Sequence, residues 1–127
     1  NWEAVMAAAH YKLDNLTAII DANTLQITGR TREVMNHEPL EEKFSSFGWE
    51  TITVDGHDFE ALEKALAAPL ATGKPTVVIT RTTKGKGVSF MEDVGSWHHG
   101  VPSEEQLQIA LAELDKELEE ARGRTTA

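Results

Sequence analysis

The stretch "KPTVVITRTT", residues 74–83, decides how the chain is read. It supplies a strand centred on 76–80 and rich in β-branched residues, which suit a pleated, buried surface. Working upstream, "DGHDFEALEKALAAPLATG" at 55–73 reads as a helix: Asp55 to Asp58 make the turn and cap, and Phe59, Leu62, Leu66 and Leu70 form its apolar stripe. "WETITV" at 49–54 is a second strand. Before it, "EPLEEKFSSFG" gives a short helix with Pro39 in its first turn, Leu40, Phe44 and Phe47 on its inner side, and Gly48 as its stop. Residues 22–37 show no periodicity and read as a loop containing Gly29, while "LTAIID" at 16–21 is a third strand. The opening "NWEAVMAAAHYKLDNL" has Trp2, Val5, Met6, Ala9 and Leu13 at helical spacing, and Ala4, Ala7 and Ala8 small enough for close approach to a neighbour. Downstream, a glycine-bearing loop at 81–102 leads into the clearest helix, "PSEEQLQIALAELDKELEEARG". Its N-cap is Ser103 with Gln106 three residues on, and Leu107, Ala110 or Leu111, Leu114 and Leu118 make its buried face.

Strands that alternate with helices predict an α/β fold, a parallel sheet with helices on both faces. Three strands make a thin sheet, so further strands or a partner are expected to cover its edges. The domain is expected to span 1–120, with a flexible tail at 121–127. The chain opens inside a helical pattern and without Met, which suggests a fold truncated at its N-terminus.

Composition narrows the function classes. With 21 acidic and 12 basic residues among 127, the formal charge is −9, which disfavours nucleic acid and anionic membrane as partners. The absence of cysteine excludes disulfides, thiolate metal sites and cysteine nucleophiles, and fits a cytoplasmic protein. No apolar run approaches the roughly 18 residues a membrane span needs.

In open α/β sheets ligands gather beyond the carboxyl ends of the strands, where the loops 22–37 and 81–102 begin. Asn23 offers a hard, neutral amide oxygen of the kind that holds Mg²⁺ or Ca²⁺ on a diphosphate; the alternative is an Asx turn ending the strand. Lys84 and Lys86 alternate with Gly85 and Gly87. That pattern lets backbone approach a ligand beside positive charge, or it makes a solvated basic turn. It matches neither standard nucleotide fingerprint. His98 and His99 suit phosphate contact, proton transfer or metal ligation, against a loop role bonded to backbone. Trp97 either walls a pocket or anchors the loop. Glu3 is a proton-handling carboxylate or an ordinary exposed helix glutamate, and His10 and His57 read as structural.

"WEAVMAAAHYKLDNLTAIIDANTLQITG", with "DGHD", "KPTVVITRTTKGKGVSF" and "WHHG" following in order, resembles the transketolase family over essentially the whole chain. The likeness is greatest to the latter part of the thiamine-diphosphate-binding module in the N-terminal subunit of split transketolases. It implies a thiamine-diphosphate-binding fold whose Gly-Asp-Gly metal motif lies before Asn1. It also implies that Asn23 and the Leu25 carbonyl are ligands of Mg²⁺ (or Ca²⁺), and that Lys84 and His99 line the cofactor diphosphate or the reacting region. Glu3 matches a glutamate of the carboxylate network that links cofactor sites across a dimer. The implied reaction is transfer of a two-carbon ketol unit from a ketose phosphate to an aldose phosphate. It needs the upstream segment and a pyrimidine-binding domain or companion subunit, in an assembly that is dimeric or made of split subunits, so this chain alone is expected to be inactive. "KLDNL", "LQITG" and "WHHG" favour this branch over deoxyxylulose-phosphate synthase and ketoacid dehydrogenase components. The other reading is a non-catalytic interaction module with the same fold, and a weaker one is an unrelated phosphate-binding domain.

Overall fold

The computed structural model describes residues 1–67 and 73–125. In chain order the elements are α1 (Trp2–His10), β1 (Thr17–Ala22), β2 (Leu25–Gln26), β3 (Gly29–Arg30), α2 (Thr31–Val34), α3 (Leu40–Ser46), β4 (Glu50–Asp55), α4 (Phe59–Ala67), β5 (Thr76–Arg81), a 3-10 turn (Gly95–His98) and α5 (Glu104–Thr125). They form two compact units, one of residues 1–24 and 35–82, the other of residues 25–34 and 83–127.

The first unit is built on a three-stranded parallel sheet in the order β1-β5-β4. Thr17 to Ala22 pair in register with Thr76 to Arg81, and Glu50 to Asp55 pair with the same six residues on the other side. The quoted stretch is therefore the central strand. Val77, Val78 and Ile79 are fully buried, which their β-branched side chains tolerate because both faces of the strand are covered.

One face of the sheet carries the main cluster, in which Val77, Ile79 and Ala22 meet Val5 and Ala8 of α1, Leu40 and Phe44 of α3, and Trp49. Val78 and Ala65 of α4 are buried but lie outside that cluster, so the opposite face is occupied as well. Burying each such aliphatic or aromatic side chain is worth about 1.5–3 kcal/mol, and this layer holds the parallel sheet against the entropy of ordering it. Trp2, Phe44 and Trp49 extend the cluster as neighbouring rings, with centroids 5.5 Å apart in each contact to Phe44. The buried Trp49 indole N–H donates to the Val5 carbonyl at 2.9 Å, so the ring is satisfied at both its apolar and polar ends.

The strands lie within one residue of their expected places, while the helix faces differ. In α1 the buried positions are Val5 and Ala8, and Met6 turns outward, because the small Ala8 lets the helix sit close to the sheet. The helix ends at His10, since Lys12 adopts a left-handed backbone (φ 52°), and Leu13 falls beyond it. In α4 the turn and cap form as expected: Asp55 accepts from the His57 N–H at 2.9 Å and Asp58 from the Ala61 N–H at 3.0 Å. Ala65 is its buried residue, and Phe59 at the helix start is 86% exposed. Leu70, expected in that stripe, lies outside the described residues, as do residues 126–127 of the expected tail. Gly48 stops α3 as anticipated, with φ 89° and its N–H bonded to the Ser45 carbonyl.

The second unit contains the antiparallel pair β2-β3, the single turn α2 and the long α5. Residues 22–37 are thus more structured than a loop: Leu25 opposes Arg30 and Gln26 opposes Gly29. The capping box of α5 is present, the Ser103 hydroxyl accepting from the Gln106 N–H at 3.3 Å and the Gln106 side chain accepting from the Ser103 N–H at 2.9 Å. Of its expected buried face, Ala110 is buried, whereas Leu107, Leu111, Leu114 and Leu118 stay 40–48% exposed. Within its unit α5 meets the 83–94 segment at particular points rather than along the leucine stripe. Gly87 runs so close to Leu114 that a Cβ there would lie 3.2 Å from it, and Glu113 accepts from the Ser89 N–H at 2.8 Å and from the Ser89 hydroxyl. Among the described residues no helix is long and apolar enough to cross a membrane.

Candidate functional site

Because β1 and β5 are parallel neighbours with Ala22 opposite Arg81, the chain leaves both strands at the same edge of the sheet. This is the edge where α/β sheets offer strand ends and loop backbone to ligands. The candidate site residues named from the sequence all follow these two exits, except Glu3.

Asn23 is the first residue after β1 and is half-buried. Its amide nitrogen donates to Asp21 at 3.2 Å, and the other oxygen of Asp21 accepts from the Thr82 hydroxyl. Strand alternation explains the grouping: Asp21 and Asn23 are two apart and share a side, and Thr82 lies two residues beyond Thr80, which pairs with Asp21. Gly56 leaves room for this corner, since a Cβ there would fall 2.4 Å from the Thr82 methyl. Next to it Arg81 donates to Glu38 and, at 2.8 Å, to Glu41, which also accepts from Thr53 at 2.9 Å. The guanidinium is the largest influence holding the Glu38 carboxyl below the usual range; for Glu41 its own backbone N–H comes first and Arg81 second.

In the second unit Leu25 opens β2. Lys84 sits in a loop folded by its own backbone: the Asp93 N–H donates to the Lys84 carbonyl at 2.8 Å, and Val88 and Met91 close further turns. Gly85 has φ 74° and faces the Met91 carbonyl so closely that a Cβ would lie 2.6 Å from its oxygen. Arg30 of β3 clamps Asp93 through two parallel bonds, one of 2.6 Å, a fork geometry that fixes the loop's direction. The two lysines of this loop differ. Lys86 pairs with Glu92 at 3.3 Å, whereas the half-buried Lys84 has no ion pair among the described residues. Trp97 is a loop anchor: its indole N–H donates to the Phe90 carbonyl at 2.9 Å and its ring stands 5.4 Å from Phe90. His98 and His99 are exposed, their rings edge to face at 4.5 Å.

Glu3 stands apart, exposed in the first turn of α1. Its own backbone N–H is the largest influence holding its carboxyl below the usual range. The first unit also carries an apolar cleft of about 570 Å³ beside Trp2, Ile20 and Phe44, and neither Glu3 nor Asn23 lines it. Glu3 and Asn23 belong to the first unit, and Leu25, Lys84 and His99 to the second. No cluster of three His, Asp or Glu suited to a metal occurs among the described residues. Asp21 and Thr82 were missed from the sequence; the signal available was the two-residue spacing of Asp21 and Asn23 at a strand end.

The family profile described as transketolase, thiamine diphosphate binding domain, matches residues 1–116. This chain belongs to the transketolase family. Among curated relatives it is 45% identical over 119 residues to an apulose-4-phosphate transketolase subunit of Phocaeicola vulgatus, covering 93% of this chain and 42% of that protein. It is 43% identical over 117 residues to the 6-deoxy-6-sulfo-D-fructose transketolase subunit SqwG of a Clostridium species, covering 91% of this chain and 42% of that protein. The crystal structure of transketolase from Campylobacter jejuni superposes with a TM-score of 0.69 at 26% identity, over 98% of this chain and 23% of that one. The chain thus spans about two fifths of the length of the split-subunit relatives it matches. Its parallel sheet with flanking helices is the thiamine-diphosphate-binding architecture of transketolases, represented here in part.

Proposed function

We propose that this chain is the metal- and diphosphate-facing part of a transketolase-type enzyme, which moves a two-carbon ketol unit from a ketose phosphate to an aldose phosphate once a companion subunit and the rest of the protein are present. The observation that carries the reading is the family match joined to the polar corner at the exits of β1 and β5. The curated relatives are named as transketolase subunits, which supports a split assembly for this protein too. A cytoplasmic location belongs to the same reading, as sugar phosphates are intracellular substrates.

The residues present suit the implied cofactor and its metal. Asn23 commits its amide nitrogen to Asp21, so the oxygen end of the amide faces away from that carboxylate. A neutral amide oxygen with the Leu25 carbonyl would take part of the shell of Mg²⁺ or Ca²⁺ and leave the ion's charge for the diphosphate. Lys84, without an ion pair among the described residues, would face the phosphate charge. His99 would contact the reacting region and move a proton there, its exposed ring being open to a substrate. Glu3, exposed at the start of α1, would join a carboxylate network where two subunits meet. Thiamine diphosphate, when bound, supplies the electron sink for cleavage and formation of the carbon–carbon bond.

The test is an assay of the assembled enzyme with thiamine diphosphate and Mg²⁺, offered a ketose phosphate with an aldose phosphate acceptor, and separately pyruvate with an aldehyde. Ketol transfer without pyruvate condensation is expected. Condensation of pyruvate would reassign the chain to the synthase branch. An assembly that forms yet neither binds the cofactor nor transfers carbon would make it an interaction module.

A further inference from the structure

We infer that Asp21 is a positioning residue that fixes the orientation of the Asn23 amide, with Thr82 holding Asp21 in place. This rests on the assignment of Asn23 to the metal made above. An asparagine amide presents an acceptor at one end and a donor at the other, and the two ends are nearly the same shape. An asparagine amide turned one way offers an incoming cation its oxygen and turned the other way its NH₂ group, and only the oxygen can bind a metal. A carboxylate accepts, so Asp21, 3.2 Å from the amide nitrogen, favours the orientation in which that nitrogen faces it. The carboxylate is in turn held through its second oxygen, which accepts from the Thr82 hydroxyl beyond the end of the neighbouring strand. Thr82 reaches that position because residue 56 is a glycine; a Cβ would fall 2.4 Å from its methyl. The four residues sit in the first unit, on the ends of β1, β5 and β4, so the orientation of one loop amide is referred back to the rigid sheet. Groups that orient metal ligands in this way alter metal affinity by about 10–100-fold when removed.

The measurement is the Mg²⁺ dissociation constant of the assembled enzyme in saturating thiamine diphosphate, by titration calorimetry, with thermal unfolding of each metal-free variant as the check on folding. Asp21→Ala is expected to weaken Mg²⁺ about 10–100-fold. Thr82→Val, which keeps the shape and loses the donor, should weaken it in the same direction by less. Asp21→Asn keeps the shape but sets a two-ended amide, able to donate, beside Asn23, and should also weaken Mg²⁺. If Asp21→Ala does not fold, Thr82→Val and Asp21→Asn carry the comparison. Asn23→Ala separates the two levels of the argument. If it weakens Mg²⁺ while Asp21→Ala or Thr82→Val does not, the positioning role is overturned and the metal assignment stands. If Asn23→Ala leaves Mg²⁺ affinity unchanged, the metal assignment itself is overturned, and the inference with it. Asp21→Asn with the parent's Mg²⁺ affinity would also overturn it, by showing that a group able to donate orients Asn23 as well as the carboxylate does.

Discussion

Trp49 joins the sheet to α1 through one bond, its indole N–H on the Val5 carbonyl at 2.9 Å inside the core. Trp49→Phe keeps an aromatic ring beside Phe44 and leaves that carbonyl without its partner. It should lower stability by about 1–3 kcal/mol in urea unfolding, and a midpoint equal to the parent's would remove the bond from the account. The same reasoning shows which candidate residues were legible. Asn23 and Lys84 could be picked out because they are polar groups just past an apolar strand, and His99 because it lies in the long loop that leaves one. The partners that set their behaviour could not. Thr82 reaches Asp21 across 61 residues of sequence and Arg30 reaches Asp93 across 63, distances at which spacing carries no information. Lys84 and Lys86 look alike as a pair in a glycine-rich loop, and it takes the position of Glu92 and the burial of Lys84 to tell them apart.

Elements were legible where local rules decide and illegible where neighbours do. The three strands and the capping box of α5 follow from β-branched runs and from Ser103 with Gln106, and the structure has both. Ser103→Ala should therefore reduce stability by about 0.5–2 kcal/mol, with the loss seen as faster amide exchange in the first turn of α5. Which side of a helix is buried depends on what it packs against, and there periodicity misled: Ala65 and Ala110 are buried while Phe59 and the α5 leucines are exposed. Between residues 22 and 37 the elements are two residues or one turn long, too short to leave a period. In the loop after β5, Gly85 is the exacting position. Gly85→Ala sets a Cβ 2.6 Å from the Met91 carbonyl oxygen in a left-handed conformation, so it should cost about 1–2 kcal/mol or more and displace the turn carrying Lys84. Titration of the assembled enzyme with thiamine diphosphate should show weaker binding; unchanged affinity would detach Lys84 from the diphosphate.

For the molecule as a whole, acid is the revealing variable. Glu38 and Glu41 titrate below their ordinary value of 4.5 in the folded chain. A depressed carboxyl contributes stability that is complete above its unfolded pKa and is lost as the pH falls through the folded one. The chain should thus weaken progressively from about pH 5 downward. The Arg81, Glu38 and Glu41 side chains are 39%, 37% and 37% exposed, so solvent screening limits each pair to about 1 kcal/mol or less. Arg81→Met should flatten the acid limb of a stability-against-pH curve; a limb of unchanged slope would assign the acid sensitivity to other carboxyls. The two units have a further consequence, for synthesis. The chain passes between them at 24/25, 34/35 and 82/83, so neither unit is one uninterrupted run of polypeptide. The first unit lacks its central strand, Thr76–Arg81, when β1 and β4 emerge, and until it follows them those two strands have no partner between them. Residues 25–34 are made before β5 and must wait for residues of the 83–125 segment before their own unit is complete.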